Sequence, residues 1–350
     1  MTEKSLKTIL VLRLSSMGDV AMTVPILKCF LNNYKDYQIV LVTKPLFTAF
    51  FQNTERLISV PIDTKKEYKG LNGIRKFCNE LSKEYKFELI IDLHNVIRSR
   101  LISFFIKKVK SFNIDKGRKE KKKMIRLKEK DRTPLKHMSD RYYQVFVQAG
   151  FTFLINGHLY VNTDRPKENV CQEIFDSTKV VIGIAPFALH KGKQWPEKNM
   201  KELLKQFDDL DRCKIILFGG YDEEEKLEEF AKPFANIFNI AGKYSLNDEL
   251  NVIKNVKLMI TMDSSNMHMS WLMATRVLSI WGGTHPDIGF APLGDNLDLM
   301  TQISVEELPC RPCSVFGNVT CHRGDYACLE MIKPNDVYRK ACMAAGILLA

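Results

Sequence analysis

No window of the chain approaches the roughly 18 to 20 uninterrupted apolar residues that a membrane-spanning helix needs. Charges interrupt even the best stretches, Leu101–Val109 and Val252–Leu258. The opening apolar run, Thr8–Leu14, is broken by Arg13 and followed by no small-residue cleavage site, so no signal peptide is expected. Also missing is a Gly-x-Gly-x-x-Gly fingerprint after the first strand, which argues against a nicotinamide-dependent enzyme. Ser15-Ser16-Met17-Gly18-Asp19 stands there instead. Tryptophan is scarce, three residues all in the second half, and acids are outnumbered, 41 against 52 basic residues. The resulting net charge of +11 biases the chain toward anionic partners such as phosphates, nucleic acid or acidic lipid, without choosing among them.

What is present reads as a globular enzyme. With 45% hydrophobic and 27% charged residues, wholesale disorder is excluded, and 350 residues imply two domains. The nine cysteines are an odd number, and Cys29, Cys78, Cys171, Cys213 and Cys342 fall in stretches that read as helix or core. A reducing compartment, the cytoplasm, is therefore expected.

Apolar runs at 8–14, 38–42, 57–61 and 89–93 alternate with helical periodicity, such as Val20, Val24, Leu27 and Phe30. The same scheme restarts at Lys179–Ala185 and continues through 213–218, 237–240, 258–261 and 276–281. Strands alternating with helices predict two parallel sheets. The polar stretch Asn162–Ser177 is the expected boundary between them. Ligands of such sheets sit at the carboxyl ends of the strands.

Those strand ends carry the chemistry. In Ser15-Ser16-Met17-Gly18-Asp19, Gly18 permits a tight turn. Asp19 either caps the helix that follows or accepts a proton from an attacking hydroxyl. Asp263-Ser264-Ser265-Asn266-Met267-His268 opens a helix whose amides would bind phosphate. Its plainer reading makes Asp263 a cap and His268 a core histidine. Trp281-Gly282-Gly283-Thr284 allows close approach to a ligand and offers a hydroxyl. Lys191 and Lys193, after the strand at 180–185, would neutralise a diphosphate, or else form a solvated basic loop. Asp222 and Glu223, after Gly219-Gly220, are placed to take ribose hydroxyls.

In their order along the chain, Arg13-Leu-Ser-Ser-Met-Gly-Asp-Val20, Lys191–Pro196, Asp263–His268 and Trp281-Gly-Gly-Thr resemble glycosyltransferase family 9, the ADP-heptose:lipopolysaccharide heptosyltransferases. The resemblance spans nearly the whole chain. It implies a GT-B fold, two Rossmann-like α/β domains facing each other across a cleft. Residues 1–165 would bind the acceptor, residues 170–335 the nucleotide sugar, and a C-terminal helix, 336–350, would pack across both. It further implies an inverting transfer of heptose or a related sugar from an ADP-sugar to a lipopolysaccharide core or other lipid-linked saccharide. In that scheme Asp19 is the base, with Ser15, Ser16 and Gly18 on the acceptor side. Lys193 or Lys191 steadies the diphosphate, Asp263, Ser264, Ser265, Asn266 and His268 cradle it with Gly282, Gly283 and Thr284, and Asp222 or Glu223 contacts ribose. The segment Gly242-Lys243-Tyr244-Ser245-Leu246 resembles the adenine-side loop. The nucleotide-diphosphate sugar is then a co-substrate, and no metal or other cofactor is required. The family often has Thr-Gly-Leu between the phosphate-loop aspartate and histidine, where this chain has Ser264–Met267, a difference that bears on donor identity.

Two features lie outside those motifs. Cys310, Cys313, Cys321 and Cys328 have a spacing compatible with a small structural zinc site, with His322 as a substitute ligand, although the family carries cysteines here without being metal enzymes. The basic stretch Lys116–Lys136 reads as an exposed loop or short surface helix. It is either a solvated charge run or a docking element for an anionic glycolipid at the inner face of the inner membrane. A nucleic-acid-binding protein would use both features but would leave the loops at Asp19, Asp263 and Gly282 unexplained, so no nucleic-acid partner is expected.

Overall fold

The computed structural model describes residues 6–126, 133–155, 171–175, 178–292 and 297–348. Two compact units emerge. One comprises Met1–Lys116 with Met138–Asn162, the other Gly117–His137 with Thr163–Ala350. The predicted boundary, Asn162–Ser177, lies largely outside the described residues.

In the first unit, five strands form one parallel sheet: β1 Lys7–Leu12, β2 Tyr37–Thr43, β3 Leu57–Pro61, β4 Phe87–Asp92 and β5 Lys110–Asn113. Their order is β3-β2-β1-β4-β5. The inner strands read as continuous apolar runs because both faces are covered: Ile9, Leu10, Val11 and Leu12 of β1 are all fully buried. Order reverses between β1 and β4, a topological switch point whose crevice opens at their carboxyl ends.

The second unit repeats this plan with β6 Val180–Ala185, β7 Cys213–Leu217, β8 Ile237–Asn239, β9 Leu258–Met262, β10 Arg276–Trp281 and β11 Met300–Gln302. The order β11-β10-β9-β6-β7-β8 puts its switch point between β6 and β9. All of these strands run parallel, so every strand-to-helix loop leaves the same edge. The C-terminal helix Pro334–Ala345 buries Val337, Ala341 and Cys342 in this unit's core, beside Phe207 and Leu258.

Two departures from a simple division in chain order have physical causes. The basic stretch forms the helix Arg118–Arg126, and its residues 127–132 lie outside the described ones. Although expected within a first domain spanning 1–165, this helix clusters with the second unit, to which Lys121 and the following chain are tied. The Lys121 ammonium lies 4.0 Å from the centre of the Phe290 ring, and Leu135 N donates to Asp287 O at 2.8 Å. The chain then returns to the first unit as the helix Met138–Gln148, seated by aromatic contacts such as Phe30–Phe146, 5.1 Å between centroids. That return carries Tyr142 to the end of β1.

Candidate active site

Register prepares the first crevice. Leu12 of β1 pairs with Asp92 of β4, so Arg13 and Leu93 leave the sheet side by side at the switch point. Arg13 is 2% exposed, and its Nη1 donates to Leu93 O at 2.6 Å while its Nη2 pairs with Asp19 Oδ2 at 2.8 Å. Ser16 Oγ donates to the same carboxylate oxygen at 2.7 Å, the capping-box arrangement for the helix Met17–Ala21. Tyr142 Oη donates to Asp19 Oδ1 at 3.1 Å, and the Arg13 guanidinium lies 5.4 Å from the centre of the Tyr142 ring. Asp19 thus caps its helix, but it is held by more than a cap requires. Its side chain keeps 22% exposure at the mouth of the crevice, the combination a proton-accepting carboxylate needs.

At the end of β4, the buried Asp92 organises the neighbouring turn. Its Oδ1 accepts from His94 N at 2.8 Å and Asn95 N at 2.7 Å, and its Oδ2 accepts from Ser99 Oγ at 2.8 Å. Burial pushes the Asp92 carboxyl up, opposed by those three hydrogen bonds. His94 is also buried, and its Nδ1 has no hydrogen-bond partner. Burial first, then the charges of Arg13 and Lys116, push its imidazole down to about 3 from an ordinary 6.5. The ring is therefore neutral at working pH. Between those two values the unfolded chain holds more protons than the folded one, so this residue costs stability progressively as pH falls through that window. We expect the gap in Tm between wild type and His94→Gln to move in the variant's favour on acidification from about pH 7.5 to about pH 4.5, as read by thermal denaturation. A gap that does not change with pH would contradict a neutral, buried ring.

In the second unit, Ala185 of β6 pairs with Thr261 of β9, so the loops after these strands start level with each other. Lys193 Nζ meets Asp263 Oδ2 at 2.8 Å, with only 16% and 6% of the two side chains exposed. The backbone around this pair is drawn tight. Gly283 N donates to Gly192 O at 2.7 Å, while Cys313 N and Ser314 N both donate to Gly283 O, at 3.0 and 3.2 Å. A Cβ on Gly192 would sit 2.7 Å from Gly317 O, so the close approach requires glycine there. Trp195, fully buried, pins the same loop through Nε1 to Ile332 O at 3.2 Å. Ser264 stands at the N-cap position of the helix Ser265–Leu272 in an extended conformation, its hydroxyl sharing a hydrogen bond with Thr261 Oγ1 at 3.0 Å instead of reaching a helix amide. Thr284 is 1% exposed, and its Oγ1 is buried without a protein partner. The crevice therefore presents a helix start, a lysine and a hydroxyl lacking a hydrogen-bond partner, a set suited to phosphate oxygens.

The model of glycosyltransferase family 9 (heptosyltransferase) matches residues 74–320, more than half of the 350-residue chain. The chain belongs to this family. The transferase is 21% identical over 334 residues to lipooligosaccharide heptosyltransferase 2 of Campylobacter jejuni, covering 93% of this chain and 94% of that one. Two solved structures share its fold at 20% identity. One is a family 9 glycosyltransferase from Veillonella parvula, with a TM-score of 0.76 and 98% of both chains covered. The other is the Escherichia coli ADP-heptose LPS heptosyltransferase II, with a TM-score of 0.70 and coverage of 97% and 98%. The architecture is GT-B.

Ser16, Gly18 and Asp19 gather at the end of β1, with Ser15 directly before them. Lys193 and Asp263 form one ion pair, so the lysine's charge is shared with the loop that was expected to cradle phosphate. Gly282, Gly283 and Thr284 join them through Gly192 and are buried, as is His268, while Ser265 and Asn266 are half-buried at the start of their helix. Lys191 is exposed, its ammonium 5.0 Å from the centre of the Tyr326 ring. Asp222 is exposed after β7, where its neighbour Glu223 accepts from Gly220 N at 2.8 Å. Lys243, after β8, pairs with Glu228 at 3.0 Å and is turned toward the helix Glu224–Ala231.

Sequence reasoning gave no role to Arg13, Tyr142, Asp92, His94 or Arg311. Arg13 lies inside the quoted motif, whereas Tyr142 reaches Asp19 across 123 residues of sequence, beyond any local signal. The four clustered cysteines line a small enclosed cavity together with Arg311 and Tyr326. Among the described residues, no three His, Cys, Asp or Glu side chains are arranged to hold a metal ion. Burial pushes the Cys328 thiol up to about 11 and also raises that of Cys313. Among the described residues no helix is long and apolar enough to cross a membrane.

Proposed function

We propose that this transferase moves a heptose from ADP-heptose to a hydroxyl of a lipid-linked saccharide, with inversion at the anomeric carbon. Asp19 takes the proton of the acceptor hydroxyl. The freed oxygen attacks the anomeric carbon, the bond from that carbon to the β-phosphate oxygen breaks, and ADP leaves with the electron pair. The leaving-group charge develops where Lys193, Lys191 and the amides at the start of the helix Ser265–Leu272 would meet it, and preorganised donors stabilise that charge more than the ground state. No metal is required in this scheme. Asp222 takes ribose hydroxyls, and the Gly242–Leu246 loop takes the base. The observation that carries the reading is Asp19, a carboxylate at a switch point with one oxygen paired to the nearby buried Arg13 and the other held by Tyr142 from 123 residues away. Support for the donor is the ADP-heptose named for the Escherichia coli enzyme of the same fold.

Thermal unfolding with ADP, GDP, UDP or NAD tests the donor side directly. A ligand at a hundred times its dissociation constant stabilises by about 2.7 kcal/mol, so saturating ADP is expected to raise Tm by several degrees and the other nucleotides much less. A shift with UDP or GDP alone would overturn the ADP-sugar assignment. No shift with any nucleotide would overturn the donor site itself.

A further inference from the structure

Between Asp92 and Asp115 the chain carries no acidic residue, and it carries five cations: Arg98, Arg100, Lys107, Lys108 and Lys110. The core of this stretch is the helix Ile97–Phe105 of the first unit. Its inner face is accounted for. Ile102 and Ile106 are buried in the unit's core, with Leu101 and Phe105 packed against them. Its outer face is apolar where a solvent-facing helix would be polar. Ile97 is 79% exposed and Phe104 is 74% exposed, and seven residues of spacing place them on one side of the helix, two turns apart. Arg98, Arg100, Lys107 and Lys108 are all exposed around them.

We propose that this helix is the transferase's membrane-docking element, lying in the interface of an anionic lipid surface with Ile97 and Phe104 inserted among the acyl chains and the four flanking cations on the headgroups. An exposed apolar pair flanked by cations, on a stretch of chain without acids, matches the chemistry of such a surface. Position supports the same occupant. The turn that launches the helix is the one built on Asp92, which holds His94 at the switch point near Asp19. Asn95 ties that turn to the sheet by donating to Ile114 O at 2.8 Å, and Arg100 Nε donates to Asn95 Oδ1 at 2.8 Å. A docked helix would thus bring the acceptor crevice to the lipid surface. The inference rests on the lipid-linked acceptor of the proposed function. It assigns docking to this helix rather than to the basic helix Arg118–Arg126, whose Lys121 is buried against the Phe290 ring and whose Met124 is buried as well.

The full chain should be sedimented with phosphatidylethanolamine vesicles containing either no phosphatidylglycerol or about a third of it, at low and at high salt. Binding that requires phosphatidylglycerol and weakens at least tenfold in Ile97→Asp/Phe104→Asp, with the ADP-induced Tm shift intact, is the expected result. An ADP shift present without vesicle binding would sink the docking proposal and leave the donor assignment standing. Vesicle binding without an ADP shift would do the reverse. Binding lost in Lys119→Glu/Lys122→Glu/Lys123→Glu but kept in the Ile97/Phe104 variant would move docking to the other helix and overturn the proposal. So would a concentration-dependent dimer by sedimentation velocity that the Ile97/Phe104 variant abolishes while vesicle binding stays unchanged.

Discussion

Asp19→Asn should abolish transfer while leaving the nucleotide site intact. The substitution keeps the size of the side chain and one oxygen able to accept from either Ser16 Oγ or Tyr142 Oη, which reach different carboxylate oxygens, but the amide cannot take a proton from a hydroxyl. A positioned general base contributes about 10²–10⁴-fold to rate, so kcat should fall by that factor. It is measured as ADP release from ADP-heptose in the presence of a heptose-deficient lipooligosaccharide. The ADP-induced Tm shift should persist, because the proposed nucleotide site belongs to the second unit. Some loss of intrinsic stability is also expected, since Arg13 would keep its buried charge and its bond to Leu93 O without its carboxylate partner. Tyr142→Phe separates orientation from chemistry. It removes one neutral donor to Asp19, worth about 1 kcal/mol, so its kcat should drop about fivefold. Equal losses in the two variants would mean that Asp19 acts only as part of a structural network, and the base would have to be sought elsewhere.

How much of this was readable in the sequence depended on the range of the interactions. Inner strands announce themselves because burial on both faces demands unbroken apolar runs, and β1, β2, β4, β6, β7, β9 and β10 all fall where such runs stand. The edge strands β5 and β11 do not. Lys-Ser-Phe-Asn and Met-Thr-Gln are partly exposed, and no periodicity distinguishes them from loop. Likewise the loops bearing Asp19, Lys193, Asp263 and Gly283 could be placed at strand ends from local pattern, since the turn chemistry is local. What those residues touch could not. The Lys193–Asp263 pair joins loops 70 residues apart, and the assignment of 117–137 to the second unit depends on Phe290 lying beneath Lys121. In the C-terminal region, cysteine spacing was compatible with a zinc site, which the resemblance argued against. One of the two residues between Cys310 and Cys313, which nothing in the spacing marks, proves to hold the loop together.

That residue is Arg311, and Arg311→Met should produce the largest loss of stability among single changes away from Asp19. The guanidinium is fully buried. Its Nε donates to Gly282 O at 2.6 Å, and its Nη2 donates to Thr284 O at 3.0 Å, Trp281 O at 3.3 Å and Gln302 Oε1 at 3.1 Å. Nη1 donates to Ile303 O. One side chain therefore satisfies the carbonyls of the turn after β10 and ties that turn to the end of β11. Methionine fills most of the volume and offers no donor. Each buried carbonyl left unpaired costs about 1–3 kcal/mol, and relaxation recovers only part of the sum, so a net loss on the order of 4 kcal/mol is expected. For a unit of this size that is a fall in Tm of roughly 10 °C. Because Gly282, Gly283 and Thr284 form the turn that loses its support, the ADP shift should shrink as well, measured well below the lowered transition. Arg323→Met is the matching control. Arg323 pairs with Asp325 at 2.9 Å on the surface, where both side chains are nearly half exposed, and Tm should not move measurably. If Arg311→Met instead lowers Tm no more than that control, the turn is held by its backbone bonds to Gly192 and Cys313. The phosphate cradle would then be a property of the glycines alone.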